Sequence, residues 1–328
     1  MAKVKLSFII PALNEETHLG GVLDSILMNA GGHFSYEVIV VDNGSEDRTM
    51  EIAEKNGANC LNAPGCSISS LRNMGVSEAS ANILVFLDAD VYLGVDWGGR
   101  IGRVIKRLHS QPNLVTGSLY GVSEQNNWIE RIWFAPRTSS RELNYINGGH
   151  LILHRNLFAK VGGFDPSLET GEDYVFCTRA KRIGARIEND PELRVVHAGY
   201  PKCIKHFFNR ERWHGRGDCK CFKTLISSKP ALVSLTNLCM AGTCTLGMFI
   251  GLQFWLALSV YLFFLGSVSL AASCRRRRGK FSSADFLGIT ILYIVYFTAR
   301  TVSIVDVALQ PSTKRVPSCV SVGPDFKP

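Results

Sequence analysis

Short apolar runs alternate with amphipathic stretches through the N-terminal part of this chain. Residues 6–11 are continuously apolar or small, the mark of a strand buried on both faces. Residues 17–30 then place Leu19, Val22, Leu23, Ile26 and Leu27 on one helical face. The rhythm continues with a buried strand at 36–42 and a helix at 47–55 for which Ser45 is the expected N-cap. A short strand at 58–63, a helix at 69–77 and a buried strand at 83–87 follow. Strand and helix in this order predict an α/β fold, a mostly parallel sheet flanked by helices. Residues 114–208 are less regular. They offer a strand at 151–153 after the Gly148-Gly149 turn, a short helix ending in Gly162-Gly163, a helix at 173–183 closed by Gly184, and a strand at 195–197.

The pattern changes beyond Asn237. Residues 238–273 carry no charged side chain in thirty-six positions, and Gln253 is their one strongly polar residue. A membrane span takes roughly 20 apolar residues, so this run is too long for one helix and enough for two short ones turning near 251–253. They form either two spans or a hairpin that dips in and returns. Arg275–Arg278 and Lys280 follow at once, and a second apolar stretch at 286–309 contains Arg300 and Asp306. Positive residues stay on the cytoplasmic side, so an even number of crossings before the arginines is expected. One further span at 286–309 is expected too, with Arg300 snorkelling toward the far interface. The organisation this implies is a body at 1–215, an interfacial linker at 216–237, a transmembrane region at 238–310 and a tail at 311–328. The chain reads as a multi-pass membrane protein with its body on the cytoplasmic face. The first residues read as a strand and not as a signal peptide, so reduced cysteines are expected.

Composition narrows the field. The 328 residues are 46% apolar and 20% charged, which excludes a disordered, collagen-like or small disulfide-framework protein. A net charge of +8 raises nucleic acid as a partner. Residues 238–328, however, hold nine Lys and Arg against three Asp and Glu, so six of the eight units lie in the tail. The body is almost neutral, and a nucleic-acid partner is disfavoured. No glycine-rich dinucleotide loop and no P-loop is present, which argues against NAD and against ATP hydrolysis.

Ligands of an open α/β sheet bind outside the carboxyl ends of its strands. Three such ends are polar: Pro11-Ala12-Leu13-Asn14-Glu15, Asp42-Asn43-Gly44-Ser45 and Asp88-Ala89-Asp90. At the frayed end of a strand, Asp88 and Asp90 can turn the same way and offer hard oxygen ligands to Mg²⁺ or Mn²⁺. The bland alternative is an Asp-rich turn. Asp42 is placed to accept hydrogen bonds from a nucleobase or ribose. Glu172-Asp173 opens a helix, where carboxylates either complement the helix dipole or do chemistry. Cys203, His206, His214, Cys219 and Cys221 show no paired spacing, and zinc is not expected.

In chain order, Phe8-Ile-Ile-Pro-Ala-Leu-Asn-Glu15, Val40-Val-Asp-Asn-Gly-Ser45, Arg72-Asn73-Met-Gly75 and Phe86-Leu-Asp-Ala-Asp90 resemble the family 2 glycosyltransferases of the GT-A fold. The likeness continues through residues 148–153, Gly162-Gly-Phe-Asp165 and Gly171-Glu-Asp173 and covers roughly residues 5–215. The resemblance implies that Pro11, Glu15 and Asp42 hold a nucleoside, that Arg72 stands near the diphosphate, and that Asp88 meets ribose or metal. It implies Asp90 as a metal ligand, with His197 completing the shell, and Asp173 as general base supported by Glu172. Asn209-Arg-Glu-Arg-Trp213 resembles a glutamine-led Arg-Trp motif with Asn209 in the place of glutamine. By that likeness Trp213 stacks on an acceptor sugar and Arg212 pairs with the diphosphate. The alternative for 202–216 is an amphipathic basic helix on the membrane surface.

The implied function is inverting, metal-assisted transfer from a nucleotide-diphospho-sugar to a hydroxyl of a lipid-linked or cell-surface glycan. The partners are then a nucleotide-sugar donor, that acceptor and membrane lipids. The rivals are a polyprenyl-phosphate glycosyltransferase and a non-catalytic nucleotide-sugar-binding membrane protein.

Overall fold

The computed structural model describes residues 5–32, 34–135, 143–168, 170–218, 228–276 and 282–309. They fall into two compact units, one built from residues up to 124 together with 143–199, the other from 125–135 and 200–309.

The first unit holds a seven-stranded sheet in the order β3-β2-β1-β4-β7-β6-β8. Its strands are β1 (Lys5–Ala12), β2 (Ser35–Asp42), β3 (Asn59–Asn62), β4 (Ile83–Leu87), β6 (Leu114–Gly117), β7 (His150–His154) and β8 (Arg186–Asn189). Pairing is parallel except at β7, which runs antiparallel to both β4 and β6. Alternation explains the unbroken apolar runs. Phe8 and Ile10 of β1 and Val85 and Leu87 of β4 enter one core layer with α1 (Leu19–Ala30). Ile9, Leu84 and Phe86 enter the opposite layer with α3 (Ile68–Glu78) and α6 (Glu172–Arg182). Both faces of β1 and β4 are covered, so no polar alternation survives in their sequence. A small second sheet pairs β5 (Val91–Leu93) antiparallel with β9 (Val195–His197).

Two local expectations change. The helix α2 (Thr49–Lys55) begins after Arg48 with no side-chain cap, because Ser45 is engaged elsewhere. Its hydroxyl bonds the Asp42 carboxylate and accepts from the Asn14 N–H at 2.8 Å. The helix α4 (Trp97–Ser110) was not foreseen, although Trp97, Ile101, Val104, Ile105 and Leu108 form a buried stripe at helical spacing. Gly98, Gly99 and Gly102 dilute its intrinsic propensity, and burial of that stripe outweighs them. The last helices of this unit are α5 (Arg155–Val161), ended by Gly162 in the left-handed region, and α6.

The second unit contains a π-helical turn (Glu130–Phe134), α7 (Ile204–Asp218), α8 (Lys229–Phe249), α9 (Phe254–Arg276) and α10 (Ser283–Leu309). The last three are long and apolar enough to cross a membrane. The chain reverses between α8 and α9 at residues 250–253, where Gly251 takes a φ of 104°. Arg300, expected to snorkel, has partners within the protein. It donates to Glu211 of α7 at 3.3 Å and lies over the Tyr296 ring. Of the basic cluster, Arg275 and Arg276 belong to α9, and Arg277, Arg278 and Lys280 lie outside the described residues, as do Cys219, Cys221 and 311–328. Cys66 is disulfide-bonded, against the expectation of reduced thiols. Cys60, Cys177, Cys203, Cys239, Cys244 and Cys274 are free.

Candidate active site

The register Ala12↔Asp42 and the end of β4 at Leu87 bring all three polar strand ends to one edge of the sheet. There Asp88 and Asp90 both act on Glu15, and Asp88 acts on Asp90. Burial, then the neighbouring Asp90, Asp88 and Asp47, push the Glu15 carboxyl up to about 7. Burial also raises Asp90, against the pull of His197.

The β5–β9 pair sets Asp90 against His197. Val91 pairs with His197, and the Ala198 N–H donates to the Asp90 carbonyl at 2.9 Å. Asp90 Oδ2 then stands 3.5 Å from His197 Nε2. Residue 199 is glycine, and a Cβ there would overlap Asp90 Oδ2.

Arg72 projects from α3 and is almost wholly buried. One Nη donates to Asp88 Oδ1 at 2.7 Å and the other to Glu172 Oε1 at 2.6 Å. Burial works against its charge, yet Asp88 and Glu172 outweigh that and raise its pKa. The guanidinium thus ties the β4 end to the start of α6. The second oxygen of Asp88 accepts from the Tyr120 hydroxyl at 3.2 Å. The same hydroxyl accepts from the Gly149 N–H at 2.9 Å, and the Tyr120 ring lies 5.1 Å from that of His197. The backbone at 148–149 passes so near that a Cβ on Gly148 would sit 2.6 Å from Arg72 Nη1, and one on Gly149 would overlap Asp88.

Asp173 follows Glu172 at the first turn of α6. Its Oδ2 accepts from the Gly148 N–H at 3.1 Å and its Oδ1 from the Tyr174 N–H at 2.7 Å. The residue keeps some open surface while its carboxyl is enclosed; burial and then Glu172 raise that carboxyl to about 6.

A family model described as glycosyl transferase family 2 matches residues 7–162. Glycosyltransferase AglE of Haloferax volcanii is 34% identical over 208 residues, which is 60% of this chain and 67% of that protein. The chain belongs to glycosyltransferase family 2. An uncharacterised glycosyltransferase of Mycobacterium tuberculosis is 32% identical over 133 residues, 40% of this chain and 57% of that relative. The match therefore spans little more than half the length of the mycobacterial relative. The mannosyltransferase PcManGT from Pyrobaculum calidifontis, solved with GDP-Man and Mn²⁺, superposes with a TM-score of 0.58 at 17% identity. That alignment covers 94% of this chain and 88% of PcManGT, and it establishes a shared GT-A fold.

In this family 2 chain the remaining expected residues have definite places. Pro11 lies within β1, opposite Val41. Asp42 is buried, and its Oδ2 accepts from the N–H groups of Gly44 and Ser45 at 2.9 and 2.8 Å, so it shapes the turn after β2. Arg212 and Trp213 belong to α7, in the other unit. Arg212 holds Asp306 of α10 with two bonds of 2.5 and 2.6 Å, and Trp213 is partly exposed against His214. Tyr120 was missed by sequence reasoning. It stands in an irregular segment without periodicity, and only the fold brings its hydroxyl to Asp88.

Proposed function

We propose that this chain transfers a sugar, with inversion, from a nucleotide-diphospho-sugar to an acceptor hydroxyl, with Asp173 as general base. The observation that carries the reading is the division of labour in the Glu172-Asp173 pair. Glu172 is tied to Arg72, whereas Asp173 is held by two backbone N–H groups with its pKa raised to about 6. A sugar hydroxyl is a poor nucleophile, and a positioned carboxylate of that basicity removes its proton during attack. A phosphate acceptor is already an anion and has little use for such a base, which favours a hydroxyl over a polyprenyl phosphate.

The donor set at Asp90 suits a hard divalent cation. A carboxylate oxygen and an imidazole nitrogen face one another, and Gly199 leaves room beside them. Among the described residues no three His, Cys, Asp or Glu side chains form a metal site by themselves. Ions of this kind usually complete their shell with substrate phosphate and water. Asp90 and His197 would hold Mg²⁺ or Mn²⁺, and the ion would neutralise the departing diphosphate. Arg72 and Tyr120 orient Asp88 through their hydrogen bonds, and we assign Asp88 to ribose or to the same ion. Glu15, Pro11 and the turn shaped by Asp42 border the nucleoside side.

The three apolar helices associate the protein with a membrane, so a lipid-linked glycan is the acceptor class that would meet the site there. Arg275 and Arg276 favour the cytoplasmic face. The Cys66 disulfide favours an oxidising compartment instead. The test of the chemistry is Asp173→Asn in the full chain. Transfer from the nucleotide sugar is expected to fall by at least about 10²-fold, the lower range for loss of a general base. Nucleotide binding should remain. Equal turnover in the variant overturns the assignment.

A further inference from the structure

The three apolar helices differ in what covers them. The share of the apolar window buried inside the protein is 11% in α8, 17% in α9 and 33% in α10. No side chain between residues 238 and 256 is buried, and Phe249 and Trp255 are 85% and 73% exposed at the α8–α9 turn. Below the turn the hairpin meets α10 through polar contacts, Asn237 to Thr301 at 2.9 Å and Ser273 to Thr290 at 3.1 Å.

On α10, by contrast, each charged side chain has a partner in α7 or the π-helical turn. Asp285 accepts from Arg131 at 2.9 Å, Arg300 donates to Glu211 at 3.3 Å, and Asp306 takes both bonds from Arg212. Phe207 near the start of α7 packs with Ile289 and Leu292. Near its end, a Cβ on Gly215 would touch Ser303 and sit 2.9 Å from Arg300 Cδ. The helix α7 therefore follows α10 lengthwise, from Ile289 to Asp306. Its outer surface exposes Lys205, His206 and Asn209. Such groups are expensive in hydrocarbon, and so is any helix obliged to carry them there.

We infer that α8 and α9 alone enter the bilayer, as a hairpin, and that α10 stays at headgroup level bound along α7. Both ends of α10 then lie on one face of the membrane. The α7–α10 pair becomes the surface that rests on lipid headgroups, with Lys205 and His206 among its outward groups. The inference rests on the membrane association proposed above and goes beyond it by removing α10 from the spans. Length and apolarity qualify all three helices equally. The lengthwise polar partner is what sets α10 apart.

The experiment uses the full chain in sealed vesicles of one orientation, with Leu287→Cys and Leu309→Cys as separate variants. These positions are 62% and 77% exposed near the two ends of α10, about 33 Å apart along a helix. Each is treated with a membrane-impermeant maleimide, and the label gained over the parent chain is measured before and after permeabilisation. Gain at both positions from the face that bears the nucleotide-sugar site is expected. Gain at one position only after permeabilisation means that α10 spans, and it overturns the inference. Gain at neither position until detergent is added places α10 in hydrocarbon and overturns it equally. Release of the parent chain into the supernatant by alkaline carbonate overturns the membrane reading itself, a separate failure. Val305→Cys, on the same exposed stripe, repeats the measurement should Leu309→Cys fail to fold.

Discussion

At the scale of single residues, the Arg-Asn-Met-Gly run shows what a motif hides. Arg72 bridges Asp88 and Glu172, Asn73 clasps both backbone groups of Phe164, and a Cβ on Gly75 would press on Ile9. The residue types were legible, and resemblance pointed Arg72 toward a diphosphate. In the fold both of its Nη groups are held by carboxylates. Removing one partner of a buried ion pair leaves the others uncompensated, so Arg72→Met should cost about 3–5 kcal/mol of stability. Thermal unfolding in detergent measures that loss. Arg72→Lys should recover only part of it, because a single ammonium cannot bridge two carboxylates with fixed geometry. Asp173 carries the pH prediction. With a pKa of about 6, its carboxyl is protonated below that pH and cannot accept the acceptor's proton. The turnover number should therefore fall about tenfold per pH unit below roughly pH 6 and level off above it. A pH–rate profile under saturating substrate checks this, and a profile without that acid limb counts against Asp173. The sign for stability is opposite. A raised carboxyl pKa favours folding at low pH, and that contribution is lost as pH rises through about 6.

At the scale of elements, the strands were the easiest to read and the turns the hardest. Strands β1 and β4 and the second half of β2 are buried on both faces, and no other local structure accounts for such short, dense apolar runs. That Ser45 would not cap α2 could not be foreseen, because its hydroxyl is taken by the Asp42 carboxylate and by the Asn14 N–H, which only the fold brings near. The turn before β7 is a similar case. Sequence marks Gly148-Gly149 as a turn, while the structure shows backbone pressed against Arg72, Asp88 and Tyr120. Gly149→Ala should displace Asp88 or Tyr120. A shift of about 1 Å in a catalytic constellation can cost on the order of 10²-fold in rate. Steady-state transfer kinetics test this, and wild-type kinetics in the variant would show that the turn has slack.

At the scale of the whole molecule, the reading of a nucleotide-sugar and metal site predicts linkage. Anything that binds only the folded state stabilises it, by about 2.7 kcal/mol at a ligand concentration of 100 Kd. Mn²⁺ together with the correct nucleotide should raise the melting temperature, and EDTA should abolish the rise. Asp90→Ala should remove the metal-dependent part while leaving the fold intact, and an unchanged metal response in that variant rules out Asp90 as ligand.

Local pattern along the chain determined the alternation of strand and helix, the family motifs, the carboxylates of the strand ends and the apolar C-terminal stretches. Each depends on spacing of 2 or 3.6 residues or on runs of one polarity, and such features survive in a linear text. Only the tertiary structure decided which groups share a site. It joined Asp88 to Tyr120 and Arg72 to Glu172 across 32 and 100 residues. It also gave Arg300 and Asp306 partners in α7, at separations of 89 and 94 residues. Contacts at such separations leave no periodic trace in the sequence. That is why the same apolar pattern suggested one more membrane span, while the packing of α10 along α7 points to a helix at the membrane surface.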